Sequence, residues 1–210
     1  LTTAWLLGKE YFRDSPAWKW VEHLPIPEHS TNVRIVGLVS DMLQDPLWAG
    51  LAGHSDHPPF LPQDGNIVAK SDHLYTARLK RGSHLQGKSA ETDPKTHGGA
   101  NCDFILLDEE CSAPIFDENY QRIRRGGYLA VTATPLDYVD VVKRPWISDL
   151  IQRAEEGDDE VLVIYLSSLN NPYLSDDWKR KQIAKYAGHP EESARLYGKP
   201  IRRGGLFYPV

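Results

Sequence analysis

The sequence predicts an α/β domain, a largely parallel sheet sandwiched by helices, with a small helical subdomain at its C-terminal end. Strand-like and helix-like stretches alternate along most of the chain, as they do where crossover helices link parallel strands. Residues 33–39 (VRIVGLV), 104–107 (FILL) and 128–132 (YLAVT) are apolar with little or no alternation. Such runs mark strands buried on both faces. From about residue 170 onward only helix signals remain. The domain plan is therefore 1–169 for the core and 170–210 for the helical subdomain and a linker.

In chain order, residues 1–12 read as a helix, with Ala4, Leu6, Leu7 and Tyr11 at near-helical spacing. No cap or turn precedes it, so further residues are expected upstream. Residues 14–32, rich in Pro, His and Trp, read as a surface excursion. The strand at 33–39 is followed by Ser40 and Asp41, N-cap candidates for a helix through Met42, Leu43, Trp48 and Leu51. A Pro/His/Asp stretch, 53–65, reads as loop. Residues 73–79 alternate and run into Lys80-Arg81-Gly82-Ser83, a hairpin signal. Residues 86–100 read as a mobile loop before the strand at 104–107. Pro114 then suits the first turn of a helix over 115–125, stopped by Gly126-Gly127. The strand at 128–132 ends in Ala133-Thr134-Pro135. A helix over 145–154, a third central strand over 160–166, a helix from Ser175 to 187 and a short helix over 190–197 complete the reading.

The chain has 210 residues, 40% hydrophobic and 25% charged, which is ordinary for a globular protein. No apolar run approaches the roughly 18 residues that span a bilayer. Its net charge of −5 argues mildly against a free-standing nucleic-acid binder. Cys102 and Cys111 flank one strand and match no zinc pattern, and a disulfide between them is not expected.

The chemistry concentrates at Asp108-Glu109-Glu110, where an apolar strand runs directly into acids. Ligands of open α/β sheets bind at the carboxyl ends of the strands. An acid pair there is the Walker B pattern of nucleotide-hydrolysing enzymes. Asp108 is then the Mg²⁺ residue, through water, and Glu109 the group that orients or deprotonates the attacking water. Thr132 and Thr134 end the neighbouring strand, where their hydroxyls can sense the γ-phosphate. The plain alternative is a strand that ends in a solvated acidic turn. No G-x-x-x-x-G-K-[ST] phosphate loop occurs in the chain. Gly8-Lys9 lies inside the opening helix and lacks the glycine-rich turn. Losing three or four charge-assisted hydrogen bonds to phosphate costs about 5 kcal/mol, so the chain by itself is expected to bind ATP poorly. His54 and His57 sit in a proline-rich loop with no further spaced ligands. Arg78, Arg81, Arg122 and Arg124 are candidates for a trans-acting arginine finger or for DNA phosphate contact. The competing reading places the first two on a solvated hairpin and the others at a helix end, together with Arg125.

Several motifs in order resemble the large terminase subunit of tailed bacteriophages. They are Arg81-Gly82-Ser83, His97-Gly98-Gly99-Ala100, Asp108-Glu109-Glu110, the run from Gly126 to Pro135, Asn170-Asn171-Pro172-Tyr173-Leu174, the run from Glu191 to Gly198, and Gly205 to Pro209. The resemblance implies a P-loop NTPase-type ATPase domain that uses ATP and Mg²⁺ to translocate double-stranded DNA into a procapsid. It assigns Asp108 to the metal, Glu109 to catalysis, and Thr132 to Pro135 to coupling. It also implies a portal protein, a small terminase subunit and a homo-oligomeric ring as partners, and the cytoplasm of an infected bacterium as the setting. The family's nuclease domain would lie beyond Val210. Its finger arginine before the Walker B strand is replaced here by Lys88 or Lys95, which lack the planar fork suited to phosphate. A superfamily 2 helicase or translocase also pairs such acids with a Thr-Ala-Thr-Pro motif, but residues 136–210 are too short for its second motor domain. A catalytically silent assembly module of the same fold is the remaining rival.

Overall fold

The computed structural model describes residues 1–53, 59–62, 66–134 and 146–200, without the side chain of Arg125. The chain divides into two compact units, Leu1–Thr132 and Ala133–Val210. The boundary expected after residue 169 falls inside the second of them.

The first unit is built on six strands: β1 (Asn32–Gly37), β2 (Ile67–Ser71), β3 (Thr76–Leu79), β4 (His84–Ser89), β5 (Cys102–Asp108) and β6 (Ile123–Thr132). Their order across the sheet is β2-β3-β4-β1-β5-β6. The four strands β4, β1, β5 and β6 are parallel. β2 and β3 form an antiparallel hairpin that adds to β4. The sheet is thus α/β and mostly parallel, as its apolar runs predict. Val33 and Ile35 of β1 and Phe104 of β5 point to one face, into a core with Leu6, Leu43, Leu61 and Leu85. Ile105 and Leu107, equally buried, point to the other.

Helices cover both faces. On the first, α1 (Thr2–Leu7) buries Trp5, which stacks on Phe104 at 5.4 Å. The helix expected over 1–12 breaks at Gly8, whose φ of 80° an L side chain rarely adopts, and resumes as a 3₁₀ turn at Lys9–Phe12. The excursion that follows holds one helical turn, α2 (Trp18–Val21). The helix expected after β1 also breaks. It comprises α3 (Ser40–Met42), a wider π-type stretch (Leu43–Trp48) and α4 (Ala49–Ala52). Asp45 is extended there, at φ −141° and ψ 121°, because a residue before proline is pushed out of the helical region and Pro46 has no N–H to donate.

On the second face lies α5 (Ala113–Tyr120), with Ile115 and Asn119 buried. It is shorter than the 115–125 expected. Gly126-Gly127 is no helix stop but a bulge inside β6, where the β5–β6 register shifts and Gly126 takes φ 81°. Arg122 therefore follows the helix in a turn, and Arg124 lies within a strand. The loop expected over 86–100 is corrected as well. Its first residues complete β4, Pro94–His97 form a 3₁₀ turn, and His97 is fully buried. The hairpin turn at residues 80–83 lies where the sequence placed it.

The second unit holds α6 (Trp146–Glu155), a 3₁₀ turn (Ser168–Asn170), α7 (Asp176–Tyr186) and α8 (Glu192–Tyr197). Ser175 caps α7 by accepting the Trp178 N–H, as its sequence position predicts. Residues 160–166, expected as a third central strand, pair with no strand among the described residues, and Leu162 and Leu166 stay about four-fifths exposed. Every regular element described in this unit is helical, so an extended apolar run finds no ladder partner within it.

Candidate functional site

The carboxyl ends of the four parallel strands are level with one another. Gly37 of β1 is in register with Ser89 of β4 and with Asp108 of β5, and Asp108 with Thr132 of β6. That alignment brings the acid and the first threonine together. The Thr132 hydroxyl donates to Asp108 Oδ1 at 2.5 Å. One residue on, the Glu109 N–H donates to the Thr132 carbonyl at 2.7 Å. Glu109 itself takes φ 70°, in the left-handed region. A non-glycine residue there costs about 1–2 kcal/mol. The other described non-glycine residue with positive φ, Tyr75, sits in the turn between β2 and β3, where such conformations are ordinary. Glu109 turns the chain directly off a buried strand. Asp108, Glu109 and Glu110 are all half-buried.

Thr134 follows two residues after β6 and is half-buried, at the start of the second unit. Pro135 lies outside the described residues, as do His54 and His57 and the motif at 205–209.

The four arginines lie at the other end of the sheet. Arg78 is an exposed residue of β3 in register with His84, the first residue of β4. Arg81 is turned inward, and its Nη2 donates to the carbonyls of Pro27 and Glu28 at 2.7 Å each. Arg122 pairs with Glu118 at 2.5 Å, while its carbonyl accepts from the Cys102 N–H at the head of β5. Arg124 pairs at 3.4 Å with Asp103, beside a cavity of about 230 Å³ that Trp5 and Pro27 also line. Asp103 and Asp108 stand near opposite ends of β5, and five strand residues span about 17 Å. None of the four reaches the acids of its own molecule.

A second polar cluster at the carboxyl edge had no sequence signal. Glu91, two residues past β4, accepts from the Ser40 N–H at 2.9 Å and from the Ser40 hydroxyl at 3.0 Å. These bonds hold its carboxyl below the usual range. The oxygen at the start of α3 thus comes from a distant loop and not from Ser40 itself. Residue type flags Ser40 as a cap, but nothing local in sequence pairs it with a residue fifty-one positions away.

Among the described residues no three His, Cys, Asp or Glu side chains converge as a metal site. Asp108 with Thr132 nonetheless fits Mg²⁺, which keeps most of its waters and takes one or two carboxylates together with substrate phosphate oxygens. The described residues contain no glycine-rich turn entering a helix, so none of them fits a polyphosphate cradle. Cys102 and Cys111 are both buried, and burial pushes the Cys111 thiol up to about 11.

The class that fold and site define is an α/β protein with a mostly parallel sheet and an acid–threonine cluster at the carboxyl ends of its strands. No family model matches the chain, and no curated protein matches it. Among solved structures it is similar to the large terminase from a thermophilic bacteriophage, determined in complex with ADP. The two are 16% identical with a TM-score of 0.48, over 80% of this chain and 40% of the terminase chain. No described helix is long and apolar enough to cross a membrane.

Proposed function

We propose that the chain carries the hydrolytic centre of an ATP-driven motor that moves double-stranded DNA into a viral procapsid. The observation that carries this reading is Glu109, in the left-handed region at the end of a buried strand and bonded through its amide to the residue whose hydroxyl reaches Asp108. Backbone strain of this kind collects at functional sites, where the surrounding structure holds it in place. A solvated acidic turn requires neither the strain nor a hydroxyl directed at its first acid.

Bound Mg-ATP supplies the electrophilic phosphorus and a cation that neutralises its oxygens. Asp108 would hold the metal through water, with the Thr132 hydroxyl fixing one carboxylate oxygen and leaving the other toward the metal's shell. Glu109 takes the proton of the attacking water at its carboxylate. Thr132 is bonded both to Asp108 and, through its carbonyl, to the Glu109 amide, so a shift of β6 moves both acids together. This is the coupling role assigned to residues 132–135. An arginine finger drawn from the four candidates would come from a neighbouring copy in a ring, since all four stand at the far end of their own sheet. Portal and small terminase subunit are the partners this reading implies.

ATP-driven DNA packaging by the native gene product tests it. Glu109→Gln should abolish packaging while leaving assembly on the procapsid intact. Packaging that survives the substitution would assign the fold to assembly instead.

A further inference from the structure

Behind the sheet's second face, Arg34 of β1 is completely buried, and the partners that fix it are all uncharged. Its Nε and Nη2 donate to Gln86 Oε1, and its Nη1 donates to the His97 carbonyl at 2.7 Å and to Asn119 Oδ1 at 3.0 Å. A guanidinium has only donors, so Asn119 must present its oxygen to it. The Asn119 amide nitrogen therefore faces the His97 ring, with Nδ2 at 3.0 Å from Nδ1. Nδ1 must accept there, which leaves the ring proton on Nε2. That proton points to the Ser89 carbonyl and the Thr92 hydroxyl, both at 3.2 Å. One buried cation thus dictates the tautomer of a buried histidine through an intervening amide.

The same logic forbids the imidazolium. A proton on Nδ1 would meet the Asn119 NH₂, and flipping the amide would turn that NH₂ onto Arg34. The Ser89 carbonyl favours the charged ring, but Nε2–H already donates to it in the neutral state. Lys88 of β4 and Arg34 are positive, Glu118 of α5 is already paired with Arg122, and burial keeps the Cys102 thiol of β5 neutral. Desolvation and these cations hold His97 below its ordinary value.

We propose that residues 89–97 form an acid-released latch: the segment closes on the sheet only while His97 is neutral, and its protonation frees Glu91 from Ser40. The segment is short, and its two ends are fixed by separate groups. Ala90 and Glu91 hold it to β1 and α3 at the carboxyl edge, and His97 holds its far end to Asn119 and Arg34. Releasing His97 opens the 3₁₀ turn and loosens the loop that carries Glu91, which follows β4 and is separated by β1 from the strand that ends in Asp108. The latch stands on this network alone and does not require the acids to hydrolyse a nucleotide.

Imidazole and amide NMR of the 210-residue chain across an acid titration tests it, with His97→Gln to assign the ring signals. At pH 8 the His97 proton should sit on Nε2. On acidification the Ser40 amide should change with the His97 midpoint, and below it the closed population should fall about tenfold per pH unit. Asn119→Asp places a carboxylate between the two cations, able to accept from both. In that variant His97 should titrate at higher pH than in the native chain, and the Ser40 amide should no longer follow it. A His97 proton on Nδ1, or a native His97 that titrates while the Ser40 amide stays unchanged, would overturn the latch. The native titration decides the matter even if the variant does not fold.

Discussion

Glu109 concentrates the tension between stability and chemistry in one residue. Its left-handed backbone costs energy that glycine would not incur, yet a glycine has no carboxylate. Two variants separate these effects, since Glu109→Ala and Glu109→Gly both remove the acid but only glycine accepts φ 70° freely. The glycine variant should be more stable than the alanine variant by about 1 kcal/mol in urea unfolding. Equal midpoints would show that the conformation carries no strain. The place of the acid pair was legible in the sequence, because an apolar run that ends in acids puts them at the carboxyl end of a strand. The strand of Thr132 was legible as the neighbour of the strand of Asp108, since strands separated by one helix are usually parallel neighbours, but the bond between the two side chains was not. Glu91 was not, because its role rests on a contact between two loops far apart in the chain.

The elements were most readable where burial is two-sided. The runs 33–39 and 104–107 became the central strands β1 and β5, whereas 128–132, read as a buried strand, is the second half of β6 at the sheet's edge, where Tyr128 and Thr132 are exposed. Glycine misled twice in opposite directions. Gly126-Gly127 looked like a helix stop and is a strand bulge, and Gly8 looked like a helix interior and ends α1. A glycine's sequence says only that an unusual φ is allowed, and tertiary pairing decides which one. The run at 160–166 shows the complementary limit, because extended propensity makes no strand without a partner edge. At this scale the account predicts that α1 is integral to the sheet through Trp5, which is 2% exposed and stacked on Phe104. Trp5→Ala should cost about 3–5 kcal/mol in chemical denaturation, whereas Trp20→Ala, at an exposed site, should cost little. Similar losses for both would mean that α1 is not docked as described.

For the whole molecule, three titratable groups shape the limbs of the pH–stability curve. His97 is held below its ordinary 6.5 in the folded state, so the unfolded chain binds more protons as the pH drops through that value. Stability should therefore fall below about pH 6.5. Glu91, also lowered, contributes stability above its ordinary 4.5 that is lost as the pH falls through its folded value. Cys111 has the opposite sign. Its folded value of about 11 lies above the ordinary 9.0, so the unfolded chain loses the proton first and stability falls as the pH rises past 9. Thermal midpoints between pH 4 and 11 should form a dome, and Cys111→Ala should flatten its alkaline side. An unchanged alkaline limb would locate that loss elsewhere.

The central claim is that the acid–threonine cluster at the carboxyl edge hydrolyses ATP. Mg²⁺-dependent ATP turnover by the native gene product, compared with its Glu109→Gln form, tests it most directly. The account predicts that turnover falls by at least about a hundredfold while nucleotide affinity stays within a few-fold, because Glu109 acts on the water and not on the nucleotide. Turnover that survives in the Glu109→Gln form would contradict it.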